Sequence, residues 1–247
     1  MNNMFMSALL GFVVGMVGTG AGGAVAFVLK KPTNRFMSVI LGLSSGLMIS
    51  IVCFDLLPEA FEMAGLSTGI IGIIVGVGMI TLVDQMIPER DFADRGLRKG
   101  GYIRTGVLLG VGIAMHNFPE GLAIGSGLAA ETRLGLSLAA VIAFHNMPEG
   151  VAMATPMVVG GYSRIKIFLA TIIAGIPMGF GAFFGSMLGE ISPDLVSLCL
   201  AFAGGTMLFI TCGELIPKSQ NMHRGRASAF GIIVGIIAGI ILSFNFR

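Results

Sequence analysis

His116-Asn117-Phe118-Pro119-Glu120-Gly121 and His145-Asn146-Met147-Pro148-Glu149-Gly150 repeat one polar word, 29 residues apart, inside strongly apolar sequence. On a helix, residues i and i+4 share a face, so each histidine points the same way as the glutamate of its own word. Two imidazoles and two carboxylates are a ligand set suited to Zn²⁺, Fe²⁺, Mn²⁺ or a related dication. Asn117 and Asn146 add carbonyl oxygens, and bridging carboxylates would let two adjacent ions be held. An ionisable residue at the centre of a hydrophobic span costs about 2.5–3.5 kcal/mol on insertion scales, so such residues mark function by default. Each proline adds a polar consequence. Pro119 cannot donate to the carbonyl of Met115, nor Pro148 to that of Phe144, and in lipid a freed carbonyl must be met by water, a side chain or a cation. Gly121 and Gly150 allow close helix approach. Kinked packing helices whose polar groups merely bond each other would explain one such word better than two.

The elements that must position these words are membrane helices. Of 247 residues, 55% are hydrophobic and 11% charged, against roughly 25% charged in soluble domains. Apolar stretches of about 20 residues, each able to cross a bilayer core of roughly 30 Å, recur along the chain. The expected fold is all-α, a polytopic integral membrane protein forming a single transmembrane domain. Its eight transmembrane helices fall at about 4–29, 36–58, 65–88, 104–130, 135–158, 165–189, 194–216 and 227–246. The N-terminus lacks the positive region of a cleavable signal and reads as the first retained helix. Its basic residues are scattered over short loops, which gives no sign of nucleic-acid binding. Cys53, Cys199 and Cys212 sit in apolar surroundings and read as free thiols.

Thirteen of the fifteen Lys and Arg residues fall on one side of these spans, from Lys30, Lys31 and Arg35 to Lys218, Arg224 and Arg226. Only Arg133 and Arg247 fall on the other. The positive-inside rule makes the first side cytoplasmic and places both termini outside. The 89–103 loop is then cytoplasmic. The outer loops hold Glu59, Glu62, Glu131, Glu190 and Asp194, which would concentrate cations or serve as ordinary solvated loop ends. Both words fall roughly 15–20 Å deep, near the bilayer centre, on antiparallel neighbours.

A second repeat has an offset of 159. SGLMISIVCFDLLP (45–58) aligns with GGTMLFITCGELIP (204–217), and GIIVG (72–76) recurs at 231–235. The matching spans cross in opposite directions, giving an inverted 3+2+3 repeat around the two central spans, a frequent transporter construction. Asp55 and its match Glu214 become candidate carboxylates for the route in and out of the centre. Ordinary end-of-helix acids are the alternative. His223, in a basic loop, reads as a solvated histidine.

These residues resemble the ZIP (Zrt/Irt-like) family of divalent metal transporters, its prokaryotic zinc-transporter branch most closely. The likeness rests on the two central words, the eight spans and the acid-x-x-Pro of the seventh. It implies a metal site at His116, Asn117, Glu120, His145, Asn146 and Glu149. It also implies uptake of zinc, and of iron, manganese or cadmium, into the cytoplasm across the cell's inner membrane, frequently by a homodimer in the lipid bilayer. The metal would be transported substrate rather than catalytic cofactor. Two departures stand out. Ile176-Pro177 occupies the place of a Glu-Pro pair that supplies one more ligand in many bacterial members, and a carboxylate at 176 is expected to tighten binding. The His-rich cytoplasmic loop of eukaryotic members is missing as well. The alternatives are an intramembrane metal-dependent enzyme and a metal sensor. His-Glu-x-x-His is absent from the sequence, as is any separate output domain.

Overall fold

The computed structural model describes residues 2–29, 33–86 and 99–246, and among these every regular element is helical. In order they are α1 (Asn2–Leu29), α2 (Asn34–Ile51), α3 (Leu57–Met86), α4 (Lys99–Ala130), α5 (Thr132–Val159), α6 (Arg164–Gly189), α7 (Pro193–Ile210), α8 (Ile216–Met222) and α9 (Ala227–Phe246). Lys30, Lys31, Arg90, Arg95, Arg98 and Arg247 of the orientation argument lie outside the described residues, as does most of the 89–103 loop.

Local chemistry sets the boundaries. Thr33 caps α2 by accepting from the Phe36 amide, and Ser192 caps α7 by accepting from the Leu195 amide, each at 3.2 Å. Such caps satisfy one of the orphan amides of a first helical turn. Short π turns, Val52–Leu56 and Thr211–Leu215, then carry α2 into α3 and α7 into α8. Each ends one residue before a Leu-Pro or Ile-Pro pair, at Pro58 and Pro217. A proline ring clashes with the carbonyl four residues back and offers it no amide. Widening the turn relieves both problems, with the Leu57 amide reaching the Val52 carbonyl and the Ile216 amide that of Thr211. Helix two therefore runs on past residue 58 and helix seven past 216, further than the sequence pattern predicts.

Gly65 ends that continuation. Its φ of 79° and ψ of 169° break α3, a conformation glycine adopts without steric cost. No polar loop is needed there. Between α4 and α5 the link is shorter than expected, since Glu131 alone is non-helical. Both helices run unbroken through Pro119 and Pro148.

Packing pairs α2 with α9 and α3 with α7, while α1 lies against α5 and α6, and α4 against α5 and α6. The closest approaches are made by glycines facing carbonyls of the neighbouring helix. Gly46 faces the Ile232 carbonyl and Gly205 that of Ile73; Gly72 faces Leu198 and Gly231 faces Val39; Gly76 faces Phe202 and Gly235 faces Leu43. Gly22 likewise faces the Met147 carbonyl and Gly181 that of Phe118. The interior seam contains Leu41, Met48, Ile51, Leu56, Ile124, Leu138, Ile142, Met178, Leu200 and Met207, all essentially inaccessible. Polarity runs inside out. Buried Ser, Thr, His, Asn, Asp and Glu side chains face inward, while Val17, Ile74, Ile173, Phe180, Ile233 and Phe244 are exposed. Among the described residues, 4–28, 34–82, 164–189, 193–222 and 227–244 are long and apolar enough to cross a membrane. The protein is thus polytopic. Helix α5, diluted by its polar word, falls short of that mark.

Candidate metal centre

The four-residue spacing within each word places its histidine and glutamate one turn apart. The one-residue link folds α5 back along α4, so the two words meet. Glu120 of α4 and His145 of α5 then come into contact, with Oε1 2.9 Å from Nε2, both fully buried. Glu149, one turn beyond His145, completes a cluster. Donor atoms of Glu120, His145 and Glu149 all lie within 4.8 Å of one another.

The other expected residues surround this trio differently. His116 is buried at 6% exposure but stands outside the three-residue cluster. Asn117 turns its amide to the Ala174 carbonyl of α6 at 2.7 Å. The Asn146 amide faces the Met178 sulfur of the same helix at 3.9 Å. Both asparagines therefore lean on α6 and keep their carbonyl oxygens for something else. Ile176 is half-buried and lies two residues from each of these α6 contacts, about 200° round a regular helix from both. The side of α6 turned to the asparagines is the Ala174–Met178 side.

Burial makes this polar group expensive. Seven of its buried atoms have no hydrogen-bond partner among the described residues: His116 Nδ1, Asn117 Oδ1, Glu120 Oε2, His145 Nδ1, Asn146 Oδ1 and both Glu149 carboxylate oxygens. Leaving one such group unsatisfied costs roughly 1–3 kcal/mol, more when charged. Five of the seven are oxygens, and in the deprotonated form that metal binding requires, two carboxylates beside one neutral imidazole carry two negative charges. A dication cancels that charge and supplies the missing partner to several of them at once.

Asp55 lies in the first π turn, buried at 2% exposure, with Oδ1 accepting a 2.6 Å bond from the Ser243 hydroxyl of α9. Glu214, its counterpart in the second π turn, is exposed. Glu62, Glu131, Glu190 and Asp194 are exposed too, while Glu59 and His223 are half-buried. All three cysteines are free, with Cys199 buried and Cys53 and Cys212 exposed. Sequence reasoning missed Ser243 and the Ala174 carbonyl. A lone serine and a backbone oxygen in apolar sequence carry no signal.

Comparison with known proteins bears on the same residues. The sequence profile of the family described as ZIP Zinc transporter matches residues 92–244, which include both words. The zinc transporter ZupT of Clostridium perfringens is 31% identical over 270 residues, spanning 96% of this chain and 94% of its own. That of Chlorobium phaeovibrioides is 33% identical, spanning 96% of each chain. That of Akkermansia muciniphila is 33% identical, spanning 89% and 90%.

Proposed function

This chain belongs to the ZIP zinc transporter family, and from that premise we propose the path its ion takes. It is an integral membrane transporter of divalent metal, zinc foremost, and not an enzyme. The ion binds midway between α4 and α5 on Glu120, His145 and Glu149, with His116, Asn117 and Asn146 completing its surroundings. One observation carries this assignment: three donors within 4.8 Å, all buried, with three carboxylate oxygens that no group among the described residues satisfies. Iron, manganese and cadmium share the relevant chemistry, since each accepts mixed imidazole and carboxylate donors.

The chain forms one transmembrane domain of eight spans arranged as an inverted 3+2+3 repeat. The matched features support it. The caps Thr33 and Ser192, the helix starts at 34 and 193 and the π turns at 52–56 and 211–215 all stand 159 residues apart. The glycine contacts exchange partners by the same offset, as when Gly46 meets Ile232 and Gly205 meets Ile73. An approximate two-fold axis that swaps α2 with α7 and α3 with α9 produces such exchange, and it passes between α4 and α5. The segment 34–82 spans about 74 Å as a helix, more than two bilayer cores, and Gly65 divides it into two crossings.

Asp55 belongs to the outer mouth and Glu214 to the inner one, with both termini outside and the protein in the cell's inner membrane. The bilayer meets the exposed apolar faces, and two copies associate as a homodimer. The test is uptake into proteoliposomes containing a metal-sensitive dye. Glu120→Ala is expected to abolish zinc uptake while the protein still inserts and remains monodisperse. Uptake at the wild-type rate would refute the assignment.

A further inference from the structure

Ser243 lies near the C-terminal end of α9 and donates its 2.6 Å hydrogen bond across to the α2 π turn, at Asp55 Oδ1. Both side chains are almost wholly buried, Ser243 at 1% and Asp55 at 2% exposure. A hydroxyl bonded to a carboxylate at this length is charge-assisted, about twice as strong as a neutral pair. Beneath it α2 and α9 touch closely, since a Cβ built on Gly239 would stand 2.5 Å from the Ser50 Cβ. The Ser243–Asp55 bond thus closes the outer end of that seam. The opposite mouth differs. Glu214 is exposed where Asp55 is buried, and the residue 159 before Ser243 is Asp84, which has no hydroxyl. The sequence does not encode an inner twin of this bond.

We propose that Ser243 is a positioning residue for uptake, whose bond to Asp55 holds α9 on α2 and keeps the outer mouth shut until an ion arrives. The proposal rests on the transport function proposed for the central site. A dication at the outer mouth competes with the Ser243 hydroxyl for the same Asp55 oxygen. Arrival and opening are then coupled at one atom, and the ion shifts the equilibrium by its preference for the open form. Removing the hydroxyl deprives only the closed form of a bond, and the closed-to-open ratio falls on the order of tenfold or more.

The test uses intact cells expressing the full chain with Cys53, Cys199 and Cys212 replaced by serine. Ser50→Cys supplies a reporter, because Ser50 is fully buried in the same seam and its hydroxyl has no hydrogen-bond partner among the described residues. The rate of reaction with a membrane-impermeant maleimide is measured from outside. Ser243→Ala should accelerate labelling roughly tenfold or more. Ser243→Thr, which keeps the hydroxyl, should restore the slow rate. Asp55→Asn approaches the bond from its other partner and should accelerate labelling in the same sense. In zinc uptake, Ser243→Ala should lower KM without raising kcat, because more of the protein is open to the outside before binding. Unchanged labelling in Ser243→Ala, or an acceleration that threonine fails to reverse, overturns the latch. Labelling does not require transport. A wild-type protein that takes up no zinc would refute the transport function, while the labelling rates would still decide for or against the latch.

Discussion

Glu149→Gln separates a metal ligand from a packing residue, because the substitution keeps the shape and removes the charge. The donors of Glu120, His145 and Glu149 stand within 4.8 Å of one another. A tetrahedral ion with bonds of about 2.0–2.2 Å needs donors about 3.3–3.6 Å apart, so no pair closes by more than about 1.5 Å, while Glu120 and His145, in contact at 2.9 Å, open slightly as the ion enters between them. Zinc then meets two negative charges and leaves none unbalanced. With glutamine at 149, one positive charge remains in a buried site, and breaking a buried charge pair in this way costs about 3–5 kcal/mol. Zinc affinity should fall roughly 200- to 4,000-fold by that figure. Competition of purified protein against a chromophoric zinc chelator reads this directly. The ion-free protein supplies the second readout. Both Glu149 oxygens are buried without a hydrogen-bond partner among the described residues, and glutamine fills the same volume without adding a buried charge, so the metal-free variant should melt no lower than wild type. A residue kept only for packing would behave in the opposite way, with lower melting and little change in affinity. Zinc binding within about threefold of wild type, or a melting point several degrees lower, would refute the reasoning.

Further outcomes follow from the repeat and the route. Gly22→Leu and Gly181→Leu push side chains into the Met147 and Phe118 carbonyls, and each should lower thermal stability by a similar amount, of order 1–3 kcal/mol or more. Gly78→Ala, with nothing within 4 Å of an added Cβ, is the neutral control; unequal losses in the twin glycines on detergent melting curves would count against the repeat. Single cysteines at 55 and 214 in a cysteine-free background should react with impermeant reagents from opposite sides of the membrane. Labelling of both from one side would overturn the eight-span topology.

The chemistry of the centre was legible because it is conspicuous. A charged or imidazole side chain inside an apolar span has few bland explanations, and two copies of one word have fewer. Everything contributed by backbone or by ordinary apolar residues was invisible. Ala174 receives the Asn117 amide through a carbonyl that any residue possesses, and Met178 is one methionine among seventeen. The separation of His116 from the trio depends on helix rotation, which the four-residue spacing does not fix. Boundaries failed for a related reason. Pro58 and Pro217 read as stops, yet a π turn ahead of each lets the helix continue. The proposed repeat is legible where Asp55 and Glu214 give it polar anchors. The paired contacts of Gly22 and Gly181 that support it carry no sequence signal, because glycine matches are common in a chain with 38 of them.

The single-residue link at Glu131 also bears on the order in which the molecule assembles. Glu120 and His145 are 25 residues apart, whereas Asp55 and Ser243 are separated by 188. Loop-closure entropy grows with the logarithm of separation, so the ligand cluster is a local event within one helical hairpin. It can form as soon as that hairpin leaves the ribosome. The bond at Asp55 must wait for the last helix. During synthesis the Glu120–His145 contact can therefore form well before the Asp55–Ser243 bond, and the nascent protein passes through a stage with the first and without the second.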